Sequence, residues 1–205
     1  MAKAFNRDQL LDAFDEIGWA AITANTRLDI AVFGGSALML ASNFRFATED
    51  VDIAEVGKPW PEWLSNAVER VARRNGWSET WLNDAVTFHL SPLARPDRDL
   101  VAFGTFPRNA DKIGLSVFVP SARYLLALKL KALRLGNPMK GPSDFADVRH
   151  LLQVLGITDP EQAIDVLVEY FPRSAADADK QRFVLKHALS AERPSDAPEY
   201  PRRGD

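Results

Sequence analysis

The run LDIAVFGGSALMLAS at residues 28–42 constrains this chain more than any other stretch. A short β-rich segment, 28–33, leads straight into Gly34-Gly35, and an apolar segment of helical character follows at 36–42. The spacing predicts a strand, a tight turn and a short helix, in that order. Glycine permits positive φ and leaves no side chain over the turn. The N–H groups at the head of a helix lack intrahelical partners, so such a turn can approach an anion closely.

The flanking segments place this unit in an α+β chain. Asn6 caps a predicted helix over 7–24, with Leu10, Leu11, Phe14, Ile17 and Ala21 on one face. DVDIAEV (50–56) reads as the second strand, and 61–75 as an amphipathic helix carrying Trp63, Leu64, Ala67, Val68 and Val71. The stretch 76–98 has no clear period. LVAFGTF (100–106) and IGLSVFV (113–119) read as a hairpin across PRNADK, and Ser121 caps a helix running to Gly136. Further helices are predicted at 143–155, at 159–171 behind Asp159-Pro160-Glu161, and at about 175–190.

The expected organisation is a small mixed β-sheet core flanked by helices over 1–120, then an all-helical part over 121–190 packed on that core with a cleft between them. The Pro-rich segment 191–205 is expected to be a disordered tail. With 205 residues the chain can bury a substantial core without cross-links. It has no Cys, which excludes disulfides, thiolate metal sites and Cys nucleophiles. No run of 18 apolar residues occurs, and the first sixteen residues carry acids where a secretory leader needs an apolar stretch, so a cytoplasmic protein is expected. The net charge of -3 argues against a surface coated for nucleic acid, though not against a local basic face.

Asp50 and Asp52 follow the glycine turn. Two apart on a strand, they share a face, and two such carboxylates with water and phosphate oxygens suit Mg²⁺. Ser36 adds a hydroxyl at the helix N-terminus. Singly, a Gly-Gly is most often a turn and an Asp-x-Asp a solvated strand face. Their succession within one strand–turn–helix–strand unit is what points to phosphate chemistry.

The segment FGGSALMLASNFRFATEDVDI (33–53) resembles the signature of the polymerase-β-like nucleotidyltransferase superfamily, here with a 13-residue spacer from Ala37 to Glu49. Its form, together with LLALKLKALRLGNPMKGPSDFADVRHLL (125–152), resembles the branch holding the AbiEii-like toxins of type IV toxin–antitoxin systems. The resemblance implies that Asp50 and Asp52 hold Mg²⁺. It implies that Gly34, Gly35 and Ser36 bind the phosphates of a nucleoside triphosphate, with Arg45 and Thr48 ordering the loop. Lys129 corresponds to a functional lysine that neutralises phosphate charge, with Lys131 a second candidate. Asp144 and Asp147 are the two acids of the branch's Asp-x-x-Asp.

For each of these a plainer reading stands beside the functional one. Lys129 and Lys131 can form the wet face of an amphipathic helix, Asp144 sits where the helix dipole favours an acid, and Asp147 can pair with Arg149 or Lys140. Many members of the superfamily carry a third metal-binding acid on a later strand. Here Ser116 stands in the expected place, with Asp99 and Asp111 the nearest alternatives. His89, His150 and His187 show no ligand spacing. Arg70, Arg73 and Arg74, and Arg123, Lys129, Lys131, Arg134 and Lys140, form a stripe for RNA or ordinary solvated helix faces. Trp60, Trp63, Trp77 and Trp81 offer base stacking or packing over a small sheet. The resulting expectation is a Mg²⁺-dependent enzyme moving NMP from an NTP to an acceptor hydroxyl, of RNA such as a tRNA 3′ end or of a protein partner such as an antitoxin. The alternative is a nucleotide-binding or interaction module without turnover.

Overall fold

The computed structural model describes residues 3–42, 44–55, 60–133, 141–190, 200 and 201. Asn6 accepts from the Gln9 backbone N–H while the Gln9 side chain accepts from the Asn6 N–H, a reciprocal cap that starts α1 (Arg7–Thr23). β1 (Leu28–Val32) leads into α2 (Gly34–Ala41), and β2 (Val51–Glu55) precedes α3 (Glu62–Asn75). The unassigned stretch then gives β3 (Leu82–Asn83), a 3-10 turn at Ala85–His89 and the single-turn α4 (Pro96–Asp99). β4 (Leu100–Phe106) and β5 (Leu115–Pro120) form the expected hairpin. α5 (Ala122–Lys131) starts at Ser121, whose hydroxyl accepts from the Tyr124 N–H. α6 (Gly141–Val154), α7 (Pro160–Tyr170), a 3-10 turn at Pro172–Asp177 and α8 (Asp179–Ser190) complete the helical part.

The architecture is α+β. One five-stranded mixed sheet has the order β3-β2-β1-β5-β4. β1 runs antiparallel to β2 and parallel to β5, and the remaining pairs are β2 parallel to β3 and β4 antiparallel to β5. Register decides the two faces. Val51 and Ile53, Ile30 and Val32, and Leu115, Val117 and Val119 line one face, and all are buried. α1 covers this face, its Phe14 ring meeting Phe106 at 5.3 Å, and α3 packs beside α1. The opposite face carries Asp52, Ala54, Ala31, Phe118, Asp29 and Ser116 and is only partly covered.

Several boundaries differ from the expectations. α2 begins at Gly34 rather than after the glycines, so the pair forms the first turn of the helix. α8 starts at Asp179, because Pro172–Asp177 winds as a 3-10 turn. α5 ends at Lys131, and carbonyls at and just past its end accept from α8: Gln181 donates to Leu130 and Lys180 to Leu133. The residues beyond Leu133 up to Lys140 lie outside the described residues. So does most of the expected tail, but Tyr200 is buried and donates to the Pro120 carbonyl at 2.8 Å. Trp77 and Trp81 are buried in the core, Trp77 tilted against Phe5 and Trp81 edge-on to it.

The strand expected to start at 113 starts at 115, because Gly114 is the point where α1 meets the hairpin. A Cβ on Gly114 would lie 2.0 Å from the Gly18 carbonyl oxygen, and one on Gly18 would lie 2.7 Å from the Phe106 and Pro107 backbone. Both obstacles are backbone and cannot swing aside. Gly114→Ala is therefore expected to destabilise the fold by at least about 2 kcal/mol. Gly104→Ala, whose nearest contact would be Phe106 at 3.7 Å, is expected to change stability by less than about 0.5 kcal/mol. Urea denaturation of the two variants checks the difference.

Candidate functional site

The site forms where β1 delivers the chain into α2. Gly34 has φ +65°, a left-handed conformation that a residue with a side chain adopts only under strain. A Cβ there would stand 2.9 Å from Oδ2 of Asp52, so the carboxylate lies directly over the turn. Phe33, the cap residue of α2, supplies no side-chain hydrogen bond, so the first N–H groups of the helix are not capped by it. Asp52 sits in β2 beside the turn, its carbonyl accepting from the Phe33 N–H at 2.8 Å.

Gly35 has a different neighbour. A Cβ on it would lie 2.5 Å from Nη1 and 2.9 Å from Cζ of Arg45, so the guanidinium lies against the bare glycine. Two residues of α6 hold that guanidinium. Arg45 Nε and Nη2 donate to the two oxygens of Asp147 at 3.0 and 2.9 Å, and Nη2 also donates to Ser143 Oγ. Lys129 of α5 joins from the other side, with Nζ 2.6 Å from Asp147 and 3.5 Å from Asp144. The Asp147 side chain is 1% exposed, that of Lys129 12% and that of Asp144 16%. Residues from α2, the following loop, β2, α5 and α6 thus converge on one place.

Each expected site residue can now be located. Gly34, Gly35, Arg45, Asp52, Lys129, Asp144 and Asp147 lie together in this cluster. Lys129 and Asp147 are not the solvated groups of the plainer reading, and Asp147 pairs with Arg45 and Lys129. Ser36 is buried and donates its hydroxyl to the Asp50 carbonyl at 2.6 Å, which Thr48 Oγ1 also approaches at 3.0 Å. Both hydroxyls therefore fix the backbone ahead of β2. Asp50 itself precedes the strand and is exposed, with Thr48 Oγ1 at 3.4 Å from its Oδ1. Lys131 points elsewhere, donating to Ser174 and lying 5.8 Å from the centre of the Phe171 ring.

The place of a third acid also changes. Ser116 pairs in register with Asp29, at the start of β1, and accepts from Arg27 at 2.8 Å. The nearer row on the Asp52 face is Ala54, Ala31, Phe118 and Ala102, about 7 Å along the strands from Asp52. On that face both Phe118 and Pro120 of β5 lie nearer the turn than Ser116. Asp99 is no substitute. It is buried, taking hydrogen bonds from Arg98, the Arg95 N–H and the Tyr170 hydroxyl. Burial pushes its carboxyl up, but these donors outweigh that and hold it below the usual range. Asp111 is exposed in the turn between β4 and β5.

Among the described residues, the basic side chains do not gather beside this site as a continuous stripe. Arg70, Arg73 and Arg74 belong to α3, Arg74 reaching Glu16, while Arg123 pairs with Glu169. Arg134 and Lys140 lie outside the described residues.

Sequence reasoning missed Ser143 and the packing of His150. The His150 ring stacks on Phe44 with centroids 4.2 Å apart and planes 19° from parallel. Its Nε2 is buried and has no hydrogen-bond partner among the described residues. Ser143, Asp147 and His150 stand at i, i+4 and i+7 on α6, a helical-face spacing legible in the sequence had the partner segment Phe44-Arg45 been known. Compared with known proteins, the chain matches no family model and no curated protein.

Burial pushes the His150 imidazole down to about 4, outweighing the upward pull of Asp147. The unfolded chain takes up that proton near 6.5, the folded protein only near 4. Between these values the unfolded state binds more protons, so stability falls as pH falls. Thermal unfolding of wild type and His150→Gln is expected to diverge with pH in this sense. The variant loses less stability between pH 6.5 and 4, by up to about 3 kcal/mol. Parallel curves would contradict a buried, neutral His150.

Proposed function

We propose that this protein is a Mg²⁺-dependent nucleotidyltransferase that moves NMP from an NTP to an acceptor hydroxyl, with RNA such as a tRNA 3′ end as the favoured acceptor. The observation that carries this reading is the convergence of the glycine turn, Asp52, Arg45 and Lys129 on one spot, with Arg45 and Lys129 both held by Asp147. An anion receptor beside a carboxylate is the pairing that a metal-bound triphosphate needs. The turn offers backbone N–H groups and a helix N-terminus to phosphate, and Arg45 and Lys129 offer positive charge.

Asp50 and Asp52 are hard oxygen donors that suit Mg²⁺, with phosphate and water filling the remaining positions. Among the described residues, no group of three or more metal-ligating side chains gathers. When bound, such an ion neutralises phosphate charge and orients the leaving group. The chain's own residues bind and align the phosphates and keep the α-phosphorus in line with the attacking hydroxyl. Catalysis of this kind rests on positioning and charge stabilisation. Asp144, more open than Asp147 and with Lys129 Nζ at 3.5 Å, serves to orient the acceptor.

One observation favours the second reading, a nucleotide-binding module without turnover. On the Asp52 face the β5 residues nearer the turn than Ser116 are Phe118 and Pro120, and neither is a carboxylate. The two readings separate in one experiment. Purified protein is incubated with each α-labelled NTP, Mg²⁺ and total bacterial tRNA, with Asp52→Asn alongside, and label is followed into RNA and protein. Transfer is expected, reduced at least about a hundredfold in the variant. Label in a protein would instead make the acceptor a protein hydroxyl. Stoichiometric nucleotide binding without pyrophosphate release would establish the binding module, and full activity in the variant would refute the role of Asp52.

A further inference from the structure

Resting on that reading, we infer that α6 is the positioning device for Arg45: the stripe Ser143–Asp147–His150 aims its Nη1 across Gly35, making Arg45 the group that receives the terminal phosphates. The two acids of the Asp-x-x-Asp then have different tasks. Asp147 acts through Arg45 and does not touch substrate or metal.

The geometry supports this division. Asp147 is 1% exposed, and its two oxygens are taken by Arg45 Nε, Arg45 Nη2 and Lys129 Nζ at 2.6 to 3.0 Å. A carboxylate so occupied has little acceptor capacity left for a cation. A two-pronged pairing fixes the plane of a guanidinium as well as its place. With Nε and Nη2 used on α6, Nη1 is the nitrogen left against Gly35. The third residue of the stripe, His150, grips Phe44, the neighbour of Arg45, so backbone and guanidinium are held from one helix face. Lysine cannot replace this arrangement, because a single ammonium cannot span Asp147 and reach over Gly35 together.

Charge makes the inference testable. If Asp147 merely competed with phosphate for Arg45 and Lys129, neutralising it would tighten anion binding. If it positions Arg45, neutralising it loosens binding although the site becomes more positive. Calorimetric titration of the full chain with inorganic triphosphate in Mg²⁺ decides between them. Asp147→Asn is expected to weaken binding about tenfold and Ser143→Ala about threefold, as for losing hydrogen bonds to a charged group. Arg45→Lys is expected to weaken it at least about tenfold, and the double variant Arg45→Lys/Asp147→Asn to be within about twofold of Arg45→Lys alone.

Tighter or unchanged binding in Asp147→Asn overturns the inference, as does full additivity in the double variant. Should Asp147→Asn fail to fold, Ser143→Ala decides, and unchanged affinity there overturns it. Wild type that binds no triphosphate defeats the transferase reading as a whole, which separates that failure from this one.

Discussion

A buried carboxylate must be paired, and Asp147 meets that demand with two cations from different parts of the chain. Arg45 comes from the loop between α2 and β2, in the sheet-bearing part. Lys129 comes from α5, and Asp147 itself from α6. Removing one partner from such a buried pair costs about 3–5 kcal/mol, so this junction ties the helical part to the sheet at the same point where it holds Arg45 against the glycine turn. Structure and chemistry here share one set of hydrogen bonds.

A second polar junction works differently. Asp99, Tyr170, Arg98 and Tyr124 link α4, α7 and α5 around a buried carboxylate. Ser91 extends it, its N–H donating to Tyr124 and its hydroxyl to the Tyr170 carbonyl. Every acceptor of Asp99 is filled by residues close in space, and burial and the neighbouring carboxylate push the Tyr170 phenol up, keeping it protonated as the donor. That junction is closed. The one at Arg45 is not, because one guanidinium nitrogen faces a glycine rather than a carboxylate.

Elements with a strong period were legible in the sequence. α1, α3, α7 and the β4–β5 hairpin follow from apolar spacing and caps, since local preference and burial agree there. β3 and the turns of 76–98 were not legible, because a two-residue strand takes its structure from the partner β2 and not from its own pattern. The site was legible in part. The glycine turn and Asp52 announce themselves by type and order, and Lys129 through the family resemblance alone. The partner of Asp147 did not, because a pairing 102 residues away leaves no local signal. Spacing along one strand cannot give its register against another, and the parallel pairing of Ala31 with Phe118 puts Phe118 and Pro120 nearer the turn than Ser116.

The order in which this chain is made has a consequence for Arg45. The turn, Arg45 and Asp52 leave the ribosome early, but β5, which β1 needs as its parallel neighbour, follows only after residue 114, and Asp147 later still, 102 residues behind Arg45. At about 5–20 residues per second, the guanidinium spends roughly 5–20 seconds without its carboxylate. Any nascent chain therefore carries the glycine turn before the helix that holds Arg45 across it exists, and the cluster is assembled late in synthesis rather than with the strand–turn–helix that announces it.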